Sequence, residues 1–310
     1  MNVRSNRMFW IVIGALALDC SQALAQQATG SFRRELDVAT PLELDVATGS
    51  GSIAVRDGTG GRAEVVGRIT VRDHRLRSDA DADELVRRFE AEPPVELDGN
   101  RLRVGYVDDD EFRRNVTISY EITIPADTRV SARSGSGSLK ASGVRGPLNV
   151  STGSGGITLT NIGGDVAART GSGSIVADGI GGSFEAHTGS GSVRLAQSAA
   201  GDVVVSTGSG STEISGVDGG LRVRTGSGSV RVDGTQRSTW ELQTGSGSIA
   251  VRLPDDAAFD LDAHAGSGEV YTEHPIVVQG RISRGRLNGE VRGGGPLLQA
   301  RTGSGGIRIE

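Results

Sequence analysis

Apolar and polar residues alternate along most of this chain, and the alternation keeps one phase around a short motif. Gly-Ser-Gly recurs with its first glycine at 49, 135, 153, 171, 189, 208, 226, 245, 266 and 303. From the copy at 135 onward, the residue five before that glycine is always apolar, from Val130 to Leu298, with Phe184 and Trp240 among them. Three before it the residue is again apolar and often small, as at Ala132, Ala168, Ala186 and Ala300. Four after it the row runs from Leu139 to Ile307, broken only by Thr212; six after it, from Ala141 to Ile309, broken only by Thr272. The positions between are mostly polar or small. A period of two is the signature of strands that bury one face.

Each repeat therefore reads as strand, Gly-Ser-Gly corner, strand and a second corner, the last marked by turn formers such as "NIGGD" and "GVDGG". Successive corners from 135 are 18, 18, 18, 19, 18, 19, 21 and 37 residues apart. A sustained short period predicts an all-β, single-chain β-solenoid (β-helix) of about 18 residues per turn, with equivalent strands stacked in parallel at ~4.8 Å. One turn cannot bury its own apolar row; stacked turns share one. The last step is about two turns long, and predicts a turn that lacks the motif or carries an insertion at about 273–296. Handedness and the number of walls stay open. At the corner, Thr170, Gly171 and Gly173, then Thr188, Gly189 and Gly191, are structural residues. Glycine is expected there to supply φ > 0 in a tight reversal. The threonines share the inward parity, so their hydroxyls are expected to satisfy corner backbone groups or one another.

Residues 26–129 hold one early copy, "ATGSGSIAV", and then diverge into strands and a short helix. In "SDADADELVRRFEAEPP" the residues Ala82, Leu85, Val86 and Phe89 share a helical face, with Ser78 as cap and Pro93 as stop. An open solenoid end is a sheet edge that invites pairing with other chains. Residues 26–129 are accordingly expected to cap one end, residues 130–310 to form the repeat solenoid, and the insertion to serve near the other end. Residues 1–25 read as a cleaved secretory signal: Arg4 and Arg7, an apolar stretch at 9–18, and Ala23 and Ala25 before a cut at Gln26. Cys20 raises lipidation as an alternative, although Asp19 stands where a small residue belongs.

Composition changes this picture in two ways. Forty-eight glycines among 310 residues would suggest a linker, but their periodicity argues for an ordered array. The net charge is −5, and from residue 130 onward basic and acidic residues are equal in number. That balance argues against a nucleic-acid partner.

The signal segment, the irregular strands ending in "YEITIPADTRVSARSGSGSL", the serial "TGSGSI" turns and the closing "RTGSGGIRIE" resemble a bacterial family of secreted "putative adhesin" domains of unknown function. The resemblance spans nearly all of the chain after the signal. It implies a Gly-rich β-solenoid and an interaction role, and it carries no catalytic or binding residues to transfer.

The remaining chemistry is thin. No Gly-Ser-Gly precedes a helix, and Lys140 is the chain's single lysine, which disfavours a phosphate loop. Asp79, Asp81, Asp83 and Glu90 match calcium-loop spacing, but Glu84 replaces the required glycine. No cofactor or metal is expected. A polar stripe precedes the corner threonines: Arg133, Ser151, Arg169, His187, Ser206, Arg224, Gln243, His264 and Arg301. Its bland reading is a solvated face. Its sharper reading makes Arg133, Arg169, Arg224 and Arg301 a surface-binding stripe for an envelope or surface macromolecule, a protein or an acidic glycan. The expected function is a non-enzymatic module of the cell envelope, periplasmic or at the cell surface, acting in adhesion or structure. The alternatives are a polysaccharide-active enzyme using the excursions 72–110 and 273–295, or an envelope-stress regulatory component.

Overall fold

The computed structural model describes residues 28–71, 79–107, 115–278 and 283–310. The alternation becomes a β-solenoid. In a typical rung, Leu148–Thr152 forms one wall, residues 153–156 turn the corner and Ile157–Ile162 forms the next wall. Leu148, Val150, Thr152, Ile157 and Leu159 are buried, and the residues between them face outward or lie half-buried. The next rung repeats this 18 residues on, in parallel register: Leu148 opposite Val166, Val150 opposite Ala168, Thr152 opposite Thr170. Rows of apolar side chains thus run continuously through the stack.

A third inward row completes the cross-section. After the second wall strand the chain takes a left-handed residue, Gly143, Asn161, Gly179 or Gly216, with φ between 53° and 71°. The twist returns the next side chain to the interior, so Val144, Ile162, Ile180 and Val217 are buried.

The corner glycines have a different cause from the one the sequence suggests. Gly153, Gly155, Gly171, Gly173, Gly189 and Gly191 are not among the residues with positive φ; in the Gly-Ser-Gly corners only Gly228, Gly247 and Gly305 are. What they share is close approach. A Cβ on Gly173 would overlap the carbonyl oxygen of Gly155 in the preceding rung, and one on Gly191 would overlap that of Gly173. The threonines seal the same corner. Thr170 Oγ1 accepts from the Gly173 amide (3.1 Å) and donates to the Gly155 carbonyl of the preceding rung (2.9 Å). Thr188 repeats both bonds at 3.0 and 2.9 Å. The hydroxyls therefore bond to backbone in a column.

The rungs do not all stack in chain order. Glu43–Thr48, in the first rung, lies between Arg129–Ser134 and Arg101–Val104. Ile53–Gly58 of the same rung lies between Leu139–Ser142 and Val116–Pro125. The chain thus passes outward from its first rung to build the cap, then returns beneath it. The cap continues with Arg62–Val71 and Thr29–Asp37 in antiparallel pairing. Helix α1 (Asp79–Ala91) packs on these two strands, burying Ala82, Val86 and Phe89. Its approach uses Gly30, where a Cβ would strike Val86. Ser78 lies outside the described residues.

The other end does the same in reverse. Leu297–Ser304 lies between the 240–246 segment of Val230–Ser246 and the strand Phe259–Ala265. Ile307–Ile309 lies between Ile249–Arg252 and Val270–Thr272. The final rung is therefore inserted beneath the one that precedes it in sequence. Arg286–Val291 and Ile276–Val278 cover the outer edge in antiparallel pairing. This corrects the expectation of simple chain-order stacking: the 37-residue step is an outward excursion and a return. Insertion pairs both edges of the last rung, whereas a terminal position would leave one ladder open.

Candidate functional site

The outward residues of the first wall form the candidate site. Because adjacent rungs are in register, the sequence stripe becomes one column. Arg133 and Arg169 flank Ser151; His187, Ser206, Arg224 and Gln243 follow rung by rung. The inserted rung then sets Arg301 between Gln243 and His264. All nine stripe residues are brought together, in an order the chain does not follow at its end.

A second column stands beside them, two residues earlier in each strand. It carries Asp45, Glu185, Glu241 and Asp262. Arg169 meets Glu185 at 2.6 Å, and His187 meets the same carboxylate at 2.8 Å. Glu241 receives Arg222 at 2.9 Å and Arg224 at 2.7 Å. Arg301 meets Asp262 at 3.1 Å, a pair that exists only because of the inserted rung. Arg133 and Asp45 are looser, at 3.9 Å. The four candidate arginines are thus all partnered, each to a carboxylate on a neighbouring rung. Sequence reading missed the acids, yet their signal was present: each stands four residues before the first corner glycine.

The electrostatics follow from these contacts. The hydrogen bond from His187, with Arg169 beside it, holds the Glu185 carboxyl below its ordinary range against the opposing effect of burial. The hydrogen bond from Arg224 does the same for Glu241, with Arg222 adding to it. For Asp262 burial is the largest influence and pushes upward, but Gln299 and Arg301 together outweigh it and the carboxyl lies low. The wall is a ladder of fixed, paired charges rather than a bare cationic strip. Beside it, Ser151, Arg169, His187 and Ser206 line a shallow groove of about 400 Å³ along the corner edge. Thr170, Gly171, Thr188 and Gly189 form its floor, while Gly173 and Gly191 pack between rungs.

Other candidates separate. Asp81, Asp83 and Glu90 lie on α1, and Glu90 accepts from the Ser31 amide at 2.9 Å. Among the described residues no group of three or more His, Asp or Glu side chains is placed to hold a metal ion. His274 is buried against Phe259, and His74 lies outside the described residues. The excursions considered for catalysis are described only in part, since 72–78, 108–114 and 279–282 fall outside. Residues 1–27, with the signal segment and Cys20, also fall outside; in the rest, no helix is long and apolar enough to cross a membrane.

No curated protein matches the chain. Among solved structures it is similar to a "putative cell adhesion protein" from Clostridium sporogenes ATCC 15579 at 11% identity and a TM-score of 0.21, over 92% of this chain and 99% of that one. It is similar to a "putative adhesin" from Bacteroides fragilis NCTC 9343 at 11% identity and a TM-score of 0.32, over 91% and 97%. Residues 43–310 match the model of the family described as Toastrack DUF4097, and the chain belongs to that family.

Proposed function

We propose that the protein is a non-enzymatic interaction module of the bacterial cell envelope, exported by its first 25 residues and acting in the periplasm or at the cell surface. The observation that carries this reading is the paired-charge ladder, which runs in register from Asp45 and Arg133 to Asp262 and Arg301. A rigid wall that repeats a side-chain pattern at strand spacing suits an extended partner. The pairing of every stripe arginine decides which kind. A polyanion would have to displace carboxylates from arginines across the whole wall. A protein surface of mixed charge can complement both columns at once. The proposal therefore favours an envelope protein over an acidic glycan.

The test is binding of the purified protein to native envelope, treated beforehand with either protease or polysaccharide-degrading enzymes. Wild type is compared with the Arg133/Arg169/Arg224/Arg301→Ser variant. Binding should be lost after protease, survive glycan digestion and fall in the variant. Unchanged binding by the variant, or sensitivity to glycan digestion alone, would overturn the reading. Catalytic turnover of a polysaccharide that one carboxylate substitution abolishes would overturn its non-enzymatic part.

A further inference from the structure

At the cap, the column of corners stops, and a cleft of about 470 Å³ opens where the next corner would stand. The reason is local. Arg101–Val104 pairs with the first rung as a wall strand would, but the chain then leaves through Gly105, at φ 81°, instead of making a Gly-Ser-Gly corner. Gly135, Gly153 and Gly171 each have the preceding corner carbonyl against them, whereas a Cβ on Gly49 would meet nothing within 4 Å. The volume falls in the range of sites that hold small ligands, roughly 300–1,000 Å³.

The lining has two halves. Val107, Val116, Ile118 and the Tyr120 ring supply apolar surface. Tyr120 is 2% exposed, and Phe32 fixes its ring edge-on at 6.4 Å. Its hydroxyl stands beside Gly105, 3.0 Å from where a Cβ there would lie. Among the described residues none hydrogen-bonds it. Burial pushes this phenol far up, so it stays protonated. The hydroxyl is not one of the enclosed atoms left without a partner: it opens on the cleft, where it can donate to an acceptor bound there.

The other half is the mouth. Arg133 lies 3.4 Å from the Tyr106 hydroxyl, which itself donates to Asp45 at 2.8 Å. Arg101 and Arg133 share the Asp45 carboxylate at 3.8 and 3.9 Å, both longer than the other stripe pairs. Arg103 stacks on Tyr106 at 4.6 Å and meets Glu96 at 3.5 Å. Three guanidinium groups thus meet two carboxylates around Tyr106; of them only Arg133 lines the cleft, and it is the most loosely held arginine of the stripe.

From this geometry we infer that the cleft is a binding site for a small amphiphilic anion, an apolar body ending in a carboxylate or a phosphate. The body would lie on Val116, Ile118 and the Tyr120 ring, with the Tyr120 hydroxyl and the Arg133 guanidinium donating to the head. The site is separate from the partner surface proposed above, sharing only the Arg133–Asp45 pair with it.

Calorimetric titration with laurate and with monododecyl phosphate, both below micelle formation, tests it. One of these heads should bind saturably at one per chain, and comparing the two identifies which. Arg133→Gln should weaken binding about tenfold or more, the loss expected for a charge-assisted hydrogen bond. Tyr120→Phe, which keeps the ring, should weaken it by a smaller factor at unchanged melting temperature. Arg169→Gln, two rungs along the wall from Arg133, should leave it unchanged, although the same change impairs the ladder. Dodecyltrimethylammonium is the counter-probe, since it offers the same apolar chain with a cationic head. Preferential binding of the cation, no saturable binding of either anion, or full affinity in Arg133→Gln would overturn the inference.

Discussion

Gly173 shows what a single position contributes to this fold. The sequence marked it as obligatory, because its motif recurs in phase, but the reason is not one that a single chain segment reveals. Its amide is held by Thr170, and the space a side chain would take is filled by the Gly155 carbonyl of another rung. Close approach between rungs is a tertiary fact, so local turn chemistry suggested positive φ instead. Gly49, the first glycine of the outermost corner, provides the control, since a Cβ there would meet nothing within 4 Å, whereas its equivalent Gly171 lies against the Gly153 carbonyl. Gly173→Val should cost about 3 kcal/mol through forced separation of two rungs. That corresponds to a melting temperature lower by several degrees. Gly49→Ala should fall within about 0.5 kcal/mol of wild type. Both values come from thermal or denaturant unfolding. Equal destabilisation at the two sites would mean that inter-rung contact does not set the need for glycine.

Among elements, the wall strands were legible and their order was not. The period-two pattern gave Val166–Thr170 and Ile175–Ile180 with their buried faces, because burial of alternate residues is written directly in the sequence. The order of rungs is not written that way. Trp240, Leu261 and Leu298 occupy equivalent positions, so any of these rungs can stack on another with the same apolar complementarity. The 37-residue step reported an irregularity without telling an insertion from a swapped order. A disulfide decides between them without dismantling the fold. In a Cys20→Ser background, Gln243→Cys with Arg301→Cys places two cysteines opposite each other on neighbouring parallel strands. Their Cα atoms would stand about 4.8 Å apart, within the reach of a disulfide. Gln243→Cys with His264→Cys places them two rungs apart, at about 9.6 Å, beyond that reach. Oxidation should cross-link the first pair and leave the second as free thiols. Cross-linking of the second pair alone would restore chain-order stacking.

At the scale of the whole molecule, the fold class, the arginine column and the need to cover both ends were readable, while the out-of-order rungs at those ends and the neutralising acids emerged only with the stacking. Stability in such an array approximates a sum of rung terms and nearest-neighbour interfaces, so the charge ladder acts as several small links between rungs. Surface pairs of this kind are individually weak, about 0–1 kcal/mol. Their collective signature is pH dependence. Glu185, Glu241 and Asp262 are held below their ordinary carboxylate range in the folded protein. A depressed folded value means that the unfolded chain takes up protons first as pH falls. The stabilisation is therefore complete above the unfolded values, near pH 4, and is lost as pH drops through the lower folded ones. Urea unfolding at pH 7 and at steps below pH 4.5 should show this decline. Glu241→Gln, which removes the carboxylate that both Arg222 and Arg224 share, should lower stability at pH 7 by about 1 kcal/mol and make the acid decline shallower. Raising salt to about 0.5 M should narrow the gap between variant and wild type at pH 7, since screening weakens exposed pairs. A variant whose acid profile runs parallel to wild type would show that the ladder contributes nothing to holding the rungs together, and would leave its charges free for recognition alone.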